Sequence, residues 1–74
     1  MSKELRGVTA KQAIAALERA GFRVVRQKGS HCLLHKQGSP LLVIPVHGAE
    51  LKIGLLKKEL KKAGLSVEDF NNLL

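Results

Sequence analysis

Apolar positions change their period twice along the chain. Ala10, Ala13, Ile14, Leu17 and Ala20 recur at three- and four-residue spacing, with Lys11, Glu18 and Arg19 between them, the stripe of an amphipathic helix. Thr9 and Gln12 stand in front of it at capping-box spacing, and Val8 is placed to staple onto Ala13. Gly21 supplies the left-handed cap, so a helix is predicted over residues 10–20. From Phe22 the texture turns to β-formers. Residues 22–28 run to the turn pair Gly29-Ser30, residues 31–35 run to the turn at 37–40, and residues 41–46 form a third apolar run whose Pro45 suits an edge or a strand end. Such short turns force antiparallel pairing, so the middle of the chain is predicted to be a three-stranded meander. Residues 47–52 read as a loop. Residues 54–63 return to helical spacing, with Leu56, Leu60 and Ala63 on one stripe and Lys57, Lys58, Lys61 and Lys62 facing water; Gly64 ends that helix. Ser66 then opens a short third helix, with acids in its first turn and Val67, Phe70, Leu73 and Leu74 as its apolar face. The predicted fold class is α+β, an α-β-β-β-α sandwich with a short extra C-terminal helix and helices on one face of the sheet.

Length narrows this picture to one domain over residues 1–74, because a chain of 74 residues buries only a small core. The single Cys32 rules out an internal disulfide framework, and one cysteine with three histidines does not make a structural zinc cage. The longest apolar run, residues 41–46, is far short of the ~20 residues of a membrane helix. Residues 1–10 are polar and charged, unlike a signal peptide. A cytoplasmic domain with no membrane partner is expected.

Charge adds the first functional direction. Thirteen Lys and Arg against six Asp and Glu give +7, and every base lies between Lys3 and Lys62. Such a field attracts polyanions, of which nucleic acid is the commonest in a cell. Stacking on aromatics is not the mode of binding, since Tyr and Trp are missing and Phe22 and Phe70 read as core.

The sharpest local feature is Gly29-Ser30-His31. Alternation along the second strand puts Cys32 and Leu34 on the face covered by helices and projects His31, Leu33 and His35 outward. Imidazole is the side chain whose ordinary titration falls between about pH 5 and 8, so an outward His31 suits proton transfer. Arg26 and Lys28 from the preceding strand and Lys36 beyond it supply cations for charge building on a phosphorane. Arg26 and Lys28 share a face with Phe22 and Val24, which want burial; sheet twist is expected to bury the Phe22 end and open the Lys28 end. If strands two and three pair around the 37–40 turn, His31 falls opposite Val46 or His47. His47 then either joins His31 in acid–base work or anchors the loop and contacts phosphate, since a one-residue slip would turn it away. His35, roughly 13 Å from His31 at strand rise, is too distant to share a proton. Cys32 points away from His31 and is expected to be a core residue, not a nucleophile. No metal site and no cofactor are expected.

In order, spacing and length, these pieces resemble the HicA-like (YcfA-like) mRNA interferase toxins of toxin–antitoxin systems. The resemblance rests on Ala20-Gly21-Phe22, on the Val-Arg-Gln-Lys-Gly-Ser-His run over residues 25–31, on Ile-Pro-Val-His over 44–47, on Glu-Leu-Lys-Ile-Gly over 50–54, and on Lys-Lys-Ala-Gly-Leu-Ser over 61–66. It implies a fold like a double-stranded RNA-binding domain and ribosome-independent RNA cleavage, with His31 as the catalytic residue. It also implies a HicB-like antitoxin as partner. Arg26, Lys28, Ser30, Lys36 and His47 are the candidate RNA contacts. Many relatives carry a second histidine where this chain has Cys32, and often Thr where it has Leu55, which lacks the hydroxyl a helix N-terminus could offer a phosphate. The expected activity is thus metal-independent mRNA cleavage using one histidine as acid and base. A non-catalytic double-stranded-RNA-binding module is the alternative, and a pure interaction partner for an acidic protein is a third reading.

Overall fold

The computed structural model describes residues 5, 7–48 and 50–74. Met1–Glu4 and Arg6 of the polar N-terminal segment, and Ala49 of the loop predicted over 47–52, lie outside the described residues. The element order is α1 (Ala10–Arg19), β1 (Arg23–Lys28), β2 (His31–His35), β3 (Leu42–Pro45), α2 (Ile53–Ala63) and α3 (Val67–Leu73). This is the predicted α-β-β-β-α layout with its extra C-terminal helix. The predicted capping box forms: the Thr9 hydroxyl accepts from the Gln12 N–H at 3.1 Å, and the Gln12 side chain accepts from the Thr9 N–H at 3.0 Å. Ser66 and Asp69 repeat the arrangement at α3. The outer boundaries move by a residue: α1 ends at Arg19, β1 starts at Arg23, β3 covers Leu42–Pro45, and α2 begins at Ile53 instead of Gly54.

The strands form one antiparallel sheet in the order β1-β2-β3. Cys32, Leu34, Leu42 and Ile44 face inward and are buried with Ala13, Ala16 and Leu17 of α1, Leu56 and Leu60 of α2, and Phe70 of α3. Burial of each large apolar side chain contributes roughly 1.5–3 kcal/mol, so the eight largest fully buried side chains among the described residues, Phe70 the largest, hold this small domain together. Phe22 and Phe70 are both core, as their spacing predicts. The Arg19 guanidinium donates to the Leu73 carbonyl and ties α1 to α3.

Two register details correct the expected arrangement, and both bear on the site. In the β2–β3 ladder His31 pairs with Pro45, not with Val46 or His47. In the β1–β2 ladder Val24 pairs with Leu34, but Arg26 pairs with Leu33, leaving Val25 as the extra residue of a β-bulge. Residues directly opposite in a ladder share a face. Val24 therefore shares the inward face of Leu34, whereas Arg26 and Lys28 share the outward face of Leu33 and His31. The change of phase at Val25, where twist alone was expected, lets Phe22 be buried while Arg26 and Lys28 face outward, and Val24 stays exposed at the sheet edge.

Candidate nucleic-acid interface

The outward face of the sheet carries the chemistry. A two-residue turn joins β1 to β2: Gly29 takes φ +58° at its first position while Ser30 keeps negative φ, the pattern in which only the first central residue must be glycine. Nothing lies within 4 Å of where a Gly29 side chain would begin, so backbone conformation and not space requires the glycine. The turn fixes the pair Lys28–His31, and the second ladder extends the row to Pro45. Below it runs the row Arg26–Leu33–Val43. His31, Arg26 and Lys28 are all exposed. Ser30 is half-buried, and its carbonyl accepts from the Val46 N–H at 2.7 Å, carrying the ladder one pair beyond the strand ends.

On its β3 side this face is bounded by α2. A cleft of about 500 Å³ lies between them, lined by His31, Pro45 and His47 on the sheet side and by Leu55, Lys58 and Glu59 on the helix side. Lys52 and Lys62 also reach it. Val43, Pro45 and His47 line it at a period of two, whereas Ile44 is buried and Val46 packs against the core. His47 lies in the bend two residues past the end of β3 and lines the same cleft as His31.

Glu59 builds the wall of this cleft and was not singled out by its sequence setting. It is 5 % exposed, and its Oε1 accepts from the Val43 N–H at 2.9 Å and from Lys62 Nζ at 3.0 Å. Lys62 is therefore not one of the helix's water-facing lysines; it is half-buried on Glu59. The recoverable signal is the row Leu55, Glu59, Lys62 at spacings of four and three, flanking the buried stripe of Leu56 and Leu60. The Val43 N–H points out of the sheet edge, and two residues on, Pro45 has no N–H to leave unpaired there.

Lys36 and His35 sit elsewhere. His35 pairs with Arg23 at the opposite end of β2 from His31. Lys36 donates to the Ala20 carbonyl at 2.9 Å and lies 5.7 Å from the Phe22 ring centroid, closing the end of α1. A side chain at Gly21 would begin 3.3 Å from Lys36 Cε, and φ +100° at Gly21 already favours glycine. The structure therefore gathers His31, Arg26, Lys28, Ser30 and His47 around one end of the sheet and leaves Lys36 at the other.

Cys32 is buried, and that burial pushes its thiol pKa up, with the Glu18 carboxylate adding in the same direction. A thiol held protonated and facing the core is a poor nucleophile. Among the described residues no three of His, Cys, Asp and Glu converge as a metal-ligand set.

Fold and face together define a class: a small basic α+β domain whose open sheet end presents histidines flanked by cations. The family of the HicA toxin of bacterial toxin–antitoxin matches residues 10–65, three-quarters of the chain, and the chain belongs to that family. The match takes in every element from α1 to α2 and stops short of α3. Comparison with curated proteins gives no match. Membership makes the protein a HicA-like toxin and implies an antitoxin partner. Among the described residues no helix is long and apolar enough to cross a membrane.

Proposed function

We propose that this toxin is an endoribonuclease that cleaves mRNA in the cytoplasm without a metal ion, inhibiting translation and growth until a HicB-like antitoxin covers its open sheet end. One observation carries the reading: His31 is exposed on a strand paired on both sides, with Lys28 as its cross-strand neighbour. Pairing on both sides holds the imidazole where an RNA 2′-hydroxyl can reach it, and Lys28 and Arg26 supply positive charge where the phosphorane gathers negative charge. His31 takes the 2′-hydroxyl proton as O2′ attacks phosphorus. Ser30 and His47 lie within the same footprint and contribute contacts to the backbone of the RNA.

The test is His31→Ala, assayed for cleavage of labelled RNA and for growth arrest on expression. Cleavage is expected to fall by at least about 10²-fold, the usual scale for losing a positioned acid–base group. Folding stability should change by no more than about 0.5 kcal/mol, because an exposed side chain leaves no cavity. Cleavage at the wild-type rate by His31→Ala would remove His31 from the chemistry. RNA binding without cleavage by the wild-type protein would make the domain a non-catalytic RNA-binding module.

A further inference from the structure

In an in-line displacement the attacking 2′-oxygen and the departing 5′-oxygen lie on opposite sides of phosphorus. A single imidazole beside the 2′-hydroxyl is therefore on the wrong side to protonate the leaving group. The cleft holds a second imidazole. His31 pairs with Pro45, and His47 follows Pro45 by two residues, with the Ser30–Val46 hydrogen bond holding the ladder as far as Val46. A diagonal neighbour in a regular antiparallel ladder sits about 7–8 Å away, and His47 stands at that position in the bend just past the last ladder bond. That separation leaves room for a phosphodiester between two rings, each reaching one apical oxygen. His47 is exposed and lines the same cleft as His31.

Resting on the reading of the protein as a ribonuclease, we propose that His47 is a second catalytic residue, the general acid that protonates the leaving 5′-oxygen. The bookkeeping of bonds and protons closes without a co-reactant. His31 accepts the 2′-hydroxyl proton while the O2′–P bond forms. The P–O5′ bond breaks, and its electron pair takes a proton from the His47 imidazolium. The products are a 2′,3′-cyclic phosphate and a 5′-hydroxyl, with His31 left protonated and His47 neutral; proton exchange with water restores both. A base that must be neutral and an acid that must be protonated give a bell-shaped dependence of rate on pH.

The experiment compares an all-oxygen RNA with the same RNA carrying sulfur in place of the 5′-bridging oxygen, because a thiolate leaves without a proton. His47→Ala is expected to cleave the all-oxygen RNA about 10²–10³-fold more slowly than the wild type, and to come within about tenfold of it on the sulfur-bridged RNA. His31→Ala should be equally impaired on both. Equal losses by His47→Ala on both substrates would make His47 a phosphate contact, and an unchanged rate on ordinary RNA would leave it no role in catalysis; either overturns the proposal. Circular dichroism of His47→Ala separates these results from unfolding, and His47→Gln, which keeps polar contacts but donates no acid proton, must behave like His47→Ala. If the wild-type protein cleaves neither RNA, the ribonuclease reading has failed first, and the proposal falls with it.

Discussion

Arg26 and Lys28 are the strand cations nearest His31, and the strand fixes the direction in which they point, as it does for Arg23 at the far end of β1. Each lies directly across a ladder from an outward residue, Arg26 from Leu33 and Lys28 from His31, and among the described residues neither enters an ion pair. On the proposed function, these two cations at fixed spacing beside His31 would form a phosphate track. Removing either one should weaken RNA binding to a similar extent across sequences and lower the salt slope of affinity by roughly one contact. Affinities of Arg26→Ala and Lys28→Ala over a salt series measure this. An unchanged slope in both would move the RNA to the exposed lysines of α2, Lys57, Lys58 and Lys61. Lys36 illustrates the contrast: equally basic in sequence, it is occupied by the Ala20 carbonyl at the other end of the sheet.

Helices were legible because their signals are local. Thr9 with Gln12 and Ser66 with Asp69 each place a hydroxyl and an acceptor three residues apart, and both capping boxes form. The inward or outward direction of Cys32, Leu34 and His31 was equally legible, since β2 alternates without interruption. What alternation alone does not reveal is a shift between strands. The bulge at Val25 and the pairing of His31 with Pro45 depend on contacts with a neighbouring strand, and no residue within either strand encodes them by itself. Glu59 was hidden for the same reason, because its partner Val43 is a backbone N–H sixteen positions away. Its bond fastens α2 to the edge of β3, which predicts a graded response. Glu59→Ala should lower stability by about 1–3 kcal/mol through loss of a hydrogen bond to a charged, largely buried acceptor. Glu59→Gln should cost less, because its carbonyl oxygen still accepts from Val43. Urea denaturation measures both, and equal losses would assign the effect to the half-exposed Lys62 pair instead of the strand edge.

For the molecule as a whole, on the proposed function, the net charge of +7 would draw RNA in, and the placement of His31, His47 and the cations around one end of the sheet would select where it reacts. Chemistry built on imidazoles and lysines predicts that cleavage persists in EDTA at full rate. Loss of activity in chelator, restored by one particular divalent ion, would replace proton transfer by metal-assisted attack. The sheet that carries this chemistry has two free sides, and the bulge at Val25 matters for one of them in a way unrelated to RNA. β3 spends one outward N–H on Glu59 and has none at Pro45, with α2 lying against it. β1 is uncovered, with Val24 and Val25 both substantially exposed, the ingredients of edge-to-edge aggregation. There the extra residue breaks the regular row of donors and acceptors, and Arg23, Arg26 and Lys28 set like charges along the same edge. A second copy arriving at β1 would meet a broken template and mutual repulsion, so the bulge that turns Arg26 and Lys28 outward also disfavours pairing of the sheet through its own edge.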